Sequence, residues 1–249
     1  MRFLLAPLAF FVCLTLSLPT TSAQAQTSLV SDISDHRIAI NASFEGAVLT
    51  LFGSRQEEGH VVVVIRGPNQ DIVVRRKERT GGIWVNRTAF TFGRVPGYYS
   101  VITEKPLTTA ALPQVLRRNG IGVDNLVFTK MDHNDPEQQE FAQALRRKRK
   151  ESGLFTEHIG GLKTLSDVVF STKIEFPANV PVGTYRAEVY LFRAGQIVAA
   201  QSSPIRIDKA GLERDIFNLA QNMPILYGIL SVLLAVFSGW AAAQIFRRN

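Results

Sequence analysis

The residues of this chain that could do chemistry are few and scattered. Its four histidines, His36, His60, His133 and His158, stand at no spacing that sets two of them on one metal. The best cation candidate is Asp132-His133-Asn134-Asp135 followed by Glu137, but a hard cation needs several oxygens converging on one point. A helix start explains the same letters, with Asp135 as the cap ahead of Pro136 and Glu137 as a favourable first-turn charge. Asp32, Asp35 and His36 give no stronger signal. There is no G-x-S-x-G elbow, no S-x-x-K, no H-E-x-x-H, no P-loop and no G-x-G-x-x-G after a strand. Carboxylate pairs that meet only in the fold leave no such trace. No catalytic, metal or cofactor residue is assigned.

The elements that would have to position any site begin and end with apolar segments. Arg2 precedes an apolar run over residues 3–18, and Ala23-Gln24-Ala25 offers the small-x-small pattern of a signal-peptidase site. This predicts a signal peptide over residues 1–25 and Gln26 as the first mature residue. Cys13, the one cysteine, falls inside that segment, so the mature chain is expected to lack disulfides, zinc thiolates and cysteine nucleophiles. At the other end Pro224–Phe246 carries no charge. As a helix rising about 1.5 Å per residue it exceeds the ~30 Å hydrocarbon core of a bilayer. Arg247 and Arg248 follow, which predicts a cytoplasmic tail over residues 247–249 and an exported N-terminal side. Removing Arg2, Arg247 and Arg248 from the formal net charge of +7 leaves the exported part at +4. That excess points to anionic headgroups or an acidic partner, and no nucleic-acid motif accompanies it.

Between these ends the periodicity is that of strands. Ile38, Ile40, Ala42 and Phe44 alternate, as do Ala47, Leu49 and Leu51. Residues 61–65 are apolar on both faces and read as a central strand. Residues 72–76 and 83–85 flank Thr80-Gly81-Gly82 as a hairpin, and residues 89–93 and 98–103 flank Val95-Pro96-Gly97 in the same way. The middle reads as helical: residues 112–118 ended by Asn119-Gly120, then a longer helix from Pro136 to about residue 150. Strands return at 168–176, 184–193 and 196–207, with Tyr185, Ala187, Val189 and Leu191 on one face. The predicted class is mainly β: an Ig-like antiparallel sandwich over residues 26–207, with a helical insertion at about 107–166 and one C-terminal transmembrane helix. Two small β domains joined by the helices is the competing arrangement. Residues 208–223 form a juxtamembrane amphipathic helix, lying in the interface or packed on its own domain.

Three motifs resemble those of the alpha-proteobacterial transmembrane protein family: Gly82-Ile83-Trp84-Val85-Asn86, Val95-Pro96-Gly97-Tyr98-Tyr99, and residues 177–185 continuing to Arg193. The resemblance covers essentially the whole chain. It implies a single-pass inner-membrane protein with a periplasmic β domain, and associates such proteins with sulfite-exporter-like transporters. It implies no activity.

Three groups are candidate contacts. Trp84, Tyr98 and Tyr99, beside turns, form a recognition surface or pack the end of a sandwich. Arg146, Arg147, Lys148, Arg149 and Lys150 meet headgroups or an acidic partner, or simply complement the dipole of a helix whose first turn is acidic. Ser231, Ala235, Gly239 and Ala243 recur every four residues and build a ridge along which another helix can approach, or are incidental small residues of a lone span. Together these favour a non-catalytic single-pass protein whose periplasmic domain binds or positions an integral-membrane partner. The alternative is a membrane-tethered periplasmic enzyme or ligand-binding domain whose site is assembled only in the fold.

Overall fold

A computed structural model gives the fold over residues 28–41, 43–165, 168–209 and 212–246. The expected signal peptide, Cys13 and the Arg247-Arg248 flank lie outside the described residues. One sheet has six strands in the order β2 (Arg37–Ile40), β12 (Gln196–Lys209), β11 (Gly183–Arg193), β4 (His60–Arg66), β7 (Tyr99–Thr103) and β8 (Phe155–Ile159). A second has β1 (Leu29–Ile33), β3 (Gly46–Arg55), β10 (Val169–Pro177) and β9 (Leu162–Thr164). The strands β5 (Asn69–Thr80) and β6 (Ile83–Pro96) form a separate two-stranded ribbon, with Gly93 of β6 also bridging antiparallel to Thr129.

Each sheet takes strands from both sides of the helical stretch, and their inward residues join one core. As its sequence demands, β4 lies inside the larger sheet with Val61 to Ile65 fully buried. In β11 Tyr185, Ala187, Val189 and Leu191 face inward, and in β10 Phe170, Ile174 and Phe176 do the same. Across the two sheets Tyr98, Phe176 and Tyr185 form an aromatic triangle with centroids 5.3, 5.6 and 6.0 Å apart. Such contacts add to the burial of the rings themselves.

The sheets are mixed rather than wholly antiparallel. β2 runs parallel to β12, and β8 parallel to β7. Parallel neighbours require a long crossover, and for β7 and β8 the helices supply it: α1 (Leu107–Ala110), α2 (Pro113–Asn119) and α3 (Pro136–Glu151). The expected insertion to residue 166 therefore ends early, because residues 155–164 go into β8 and β9. Asp135 caps α3 by accepting the Glu137 N–H at 2.9 Å, and Gly120 closes α2 with a φ of 59°.

The expected hairpin of residues 89–93 with 98–103 does not form. β6 folds back on β5, whereas β7 pairs with β4 and β8. Gly67 N–H donates to Tyr98 O and Gly97 N–H to Pro68 O, both at 2.7 Å, so the β4–β7 ladder carries on into the β5–β6 ribbon. The pair bends at Gly67 and Gly97, where a Cβ would stand 2.8 Å from Tyr98 N and 2.7 Å from the Pro181 ring. After β12 come α4 (Leu212–Asn222) and α5 (Pro224–Phe246). Met223 N–H donates to Leu219 O and its own carbonyl accepts from Tyr227, ending one helix and opening the next. Pro224, which has no N–H to give, takes the first position of the new helix.

Candidate interaction surfaces

α5 is the longest helix among the described residues. Its segment Pro224–Gln244 has a mean hydropathy of 2.0, and none of it is buried against the rest of the chain. Ser231, Ala235, Gly239 and Ala243 are all exposed along it. The Ser231 hydroxyl donates to Tyr227 O at 2.8 Å and the Ser238 hydroxyl to Leu234 O at 2.7 Å, so neither is left without a partner in hydrocarbon. At Gly239 an added Cβ meets nothing within 4 Å.

The three aromatic candidates separate. Trp84 is 68% exposed at the turn of the β5–β6 ribbon. Tyr98 and Tyr99 are buried and do not form a surface, which corrects the recognition-surface reading for both and leaves the packing one. Tyr98 lies between the sheets and donates its hydroxyl to Glu175 O at 2.7 Å. Tyr99 faces the crossover, where its hydroxyl donates to Gly120 O and accepts from Gly122 N–H, both at 2.9 Å. Burial pushes the Tyr98 hydroxyl up to about 12 and raises Tyr99 further.

Arg66 covers the Tyr99 ring, 5.2 Å from its centroid, and pairs with Glu188 at 2.8 Å, while Tyr190 donates to the same carboxylate at 3.0 Å. Arg66 also donates to Asn119 O and Gly120 O. This cluster fastens the end of α2 to the sheet. It has no sequence signal, because its members lie far apart in the chain and meet only through strand register.

The basic run of α3 is divided by the helical repeat. Arg146 turns inward with Phe141, Ala142 and Leu145, stacks 4.8 Å over Phe128 and donates to Leu126 O. Arg149 is half-buried, and burial holds both arginines below their ordinary value. Of the five, Arg147, Lys148 and Lys150 are exposed, and they pair with Glu151, Glu151 and Asp124. The run is therefore not a continuous contact face, and Arg146 leaves it.

The acidic loop spends its oxygens on the backbone: Asp132 accepts from Asn134 N–H and Asp135 from Glu137 N–H. A cavity of about 290 Å³ brings Asp124, Glu157 and His158 to its walls. Glu157 there accepts the Val123 N–H at 2.6 Å, which closes the turn leading into residues 123–125. Among the described residues no group of three or more His, Cys, Asp or Glu is arranged to hold a metal ion.

A mainly β domain followed by one bilayer-length apolar helix defines a membrane-anchored, single-pass protein. The chain belongs to the family described as "Putative transmembrane protein (Alph_Pro_TM)", which matches residues 28–248 and so takes in both the β domain and the span. No curated protein and no solved structure matches it.

Proposed function

We propose that this is a non-catalytic inner-membrane protein, its β domain in the periplasm and its C-terminus in the cytoplasm, that positions an integral-membrane partner. The observation that carries this reading is α5, a span in which no residue of the apolar window is buried against its own chain. A helix with a small-residue ridge gains van der Waals contact when another helix packs along it. The ridge Ser231, Ala235, Gly239 and Ala243 is the contact in this reading, and a polytopic transporter of the sulfite-exporter-like class is the partner. Orientation follows from Arg247 and Arg248, the cations directly after the span.

The test is recovery of the tagged full-length protein from native membranes in gentle detergent, beside a Gly239→Leu variant. The unsubstituted protein is expected to bring down a polytopic partner, and the variant to lose it while its β domain stays folded. Equal recovery by both proteins counts against the ridge.

A further inference from the structure

The two halves of the β5–β6 ribbon have different surroundings. Its root is fastened to the body. Phe92 meets Phe128 edge-on at 5.9 Å and Phe90 meets Phe141 at 4.9 Å, while Arg76 lies over Phe141 and pairs with Glu137 and Glu140. Beyond Arg76 and Ala89, among the described residues, no hydrogen bond, ion pair or ring contact joins residues 77–88 to the rest of the chain. The one ion pair there, Arg87 with Glu78 at 3.9 Å, links the ribbon's own strands. A lone two-stranded ribbon is marginal in water, so a free end of this length gains from a surface to lie against.

The tip leaves two large apolar side chains exposed. Gly81 and Gly82 have φ of 60° and 89°, positive at both central positions as a tight hairpin turn requires. Ile83 and Trp84 follow at once and stand 66% and 68% exposed, large apolar side chains left in water. The register sets Trp84 opposite Arg79 and Asn86 opposite Lys77, so Lys77, Arg79 and Trp84 share one face. An indole with one cation beside it and another a rung behind suits a bilayer interface: the ring sits at headgroup depth and the cations meet lipid phosphates.

The ribbon is also rooted where the chain departs for the membrane. Arg66, the last residue of β4, pairs with Arg186, which pairs with Pro204. Gly183 pairs with Ile207 and has the Pro68 ring against it. The root therefore lies at the end of the six-stranded sheet from which β12 leads to α4 and α5. From Asn69 to Gly81 an extended strand at about 3.3 Å per residue reaches roughly 40 Å.

We propose that the tip of the β5–β6 ribbon is a second membrane contact, in which Ile83 and Trp84 enter the interface of an anionic leaflet while Lys77 and Arg79 bind its phosphates. The leaflet is that of the bilayer holding α5. An acidic protein is the lesser fit, because a projecting apolar tip enters a fluid interface without needing a matching pocket. The contact does not depend on the transporter reading, since it needs only the protein and lipid.

The chain has two tryptophans, so a Trp240→Phe variant of the full-length protein reports on Trp84 alone. It is reconstituted in nanodiscs of phosphatidylcholine, or of equal parts phosphatidylcholine and phosphatidylglycerol, with brominated acyl chains as quencher. In the anionic discs Trp84 emission is expected to shift to the blue and be quenched. Adding Lys77→Glu and Arg79→Glu is expected to lower the quenched population by about tenfold or more, since each cation at an anionic surface contributes about fivefold. Raised salt should produce the same release without either substitution, and circular dichroism checks that the variant keeps its strands. Solvated, unquenched emission in both disc types overturns the proposal. So does a blue shift without bromine quenching that appears only when detergent-extracted membrane proteins are added, which would assign the tip to a protein partner.

Discussion

Ile83-Trp84 and Tyr98-Tyr99 look alike in sequence, each pair following a glycine turn and opening a strand, yet they end in opposite surroundings. Trp84 is 68% exposed, while Tyr98 and Tyr99 are 1% and 0% exposed. What separates them is the company of the strand each pair enters. Tyr99 opens β7, which has neighbours on both sides and the helical crossover against it. Trp84 lies at the far end of β6, where among the described residues its strand pairs with β5 and no other. The turn does not decide whether an aromatic residue is buried. The number of layers that its strand joins does.

The largest expected effect comes from exchanging the two motifs' aromatic residues for alanine. Tyr99→Ala removes a ring packed edge-on to Phe155 at 6.0 Å and covered by Arg66, along with a hydroxyl that holds Gly120 and Gly122. The expected loss is about 4 kcal/mol of domain stability. Trp84→Ala should change stability by less than about 0.5 kcal/mol. Denaturant unfolding of the full-length protein in detergent checks both, and similar losses would break the comparison.

Ion pairs sharpen it at a smaller scale. Arg66 and Glu188 are 17% and 16% exposed, so Glu188→Ala leaves a largely buried guanidinium with only carbonyl partners and no carboxylate, and should cost roughly 2 kcal/mol. Arg87 and Glu78, on the free half of the ribbon, form a pair that water screens. Arg87→Ala is expected to leave the unfolding midpoint unchanged. A measurable loss there would mean that the distal ribbon is tied to the body after all.

Much of the frame could be read from local pattern. The alternation of Tyr185, Ala187, Val189 and Leu191 gave β11 its inward face, the uniform run of residues 61–65 its central position to β4, and Asp135-Pro136 the start of α3. The anchor was visible in its composition alone. What was not legible depended on pairing across long separations. The pairing of β7 with β8 turned the helical stretch into a crossover between parallel strands, and the pairing of β6 with β5 dissolved the second expected hairpin. For the same reason the sequence leaves open whether Tyr98 and Tyr99 line a surface or pack, since their surroundings are Phe176, Arg66 and Phe155, none of them close in sequence. For the tip, the signal was present: Ile-Trp directly after Gly-Gly, with Lys77 and Arg79 on the facing strand, although a cationic cluster there also suits simple protection of a strand edge.

Within the buried half, the smallest loss expected at neutral pH becomes informative in alkali. Tyr98→Phe keeps the ring between Phe176 and Tyr185 and removes only the hydroxyl's bond to Glu175 O, a loss of about 1 kcal/mol. Burial pushes that hydroxyl up to about 12, whereas in an unfolded chain tyrosine ionises near 10. Between these values the folded state keeps a proton that the unfolded state has released, so stability must fall as pH rises. The contribution is complete below about pH 10 and drains toward about pH 12, at about 1.4 kcal/mol per pH unit. Phenylalanine has nothing to ionise and escapes that share of the decline. The unsubstituted protein should therefore be the more stable of the two at neutral pH, and the two stability curves should cross near pH 11. Unfolding midpoints measured across this range, with tyrosinate absorbance followed in parallel, make the check. If the curves stay parallel, the Tyr98 hydroxyl titrates as it does in the open chain, and the buried half of the comparison fails.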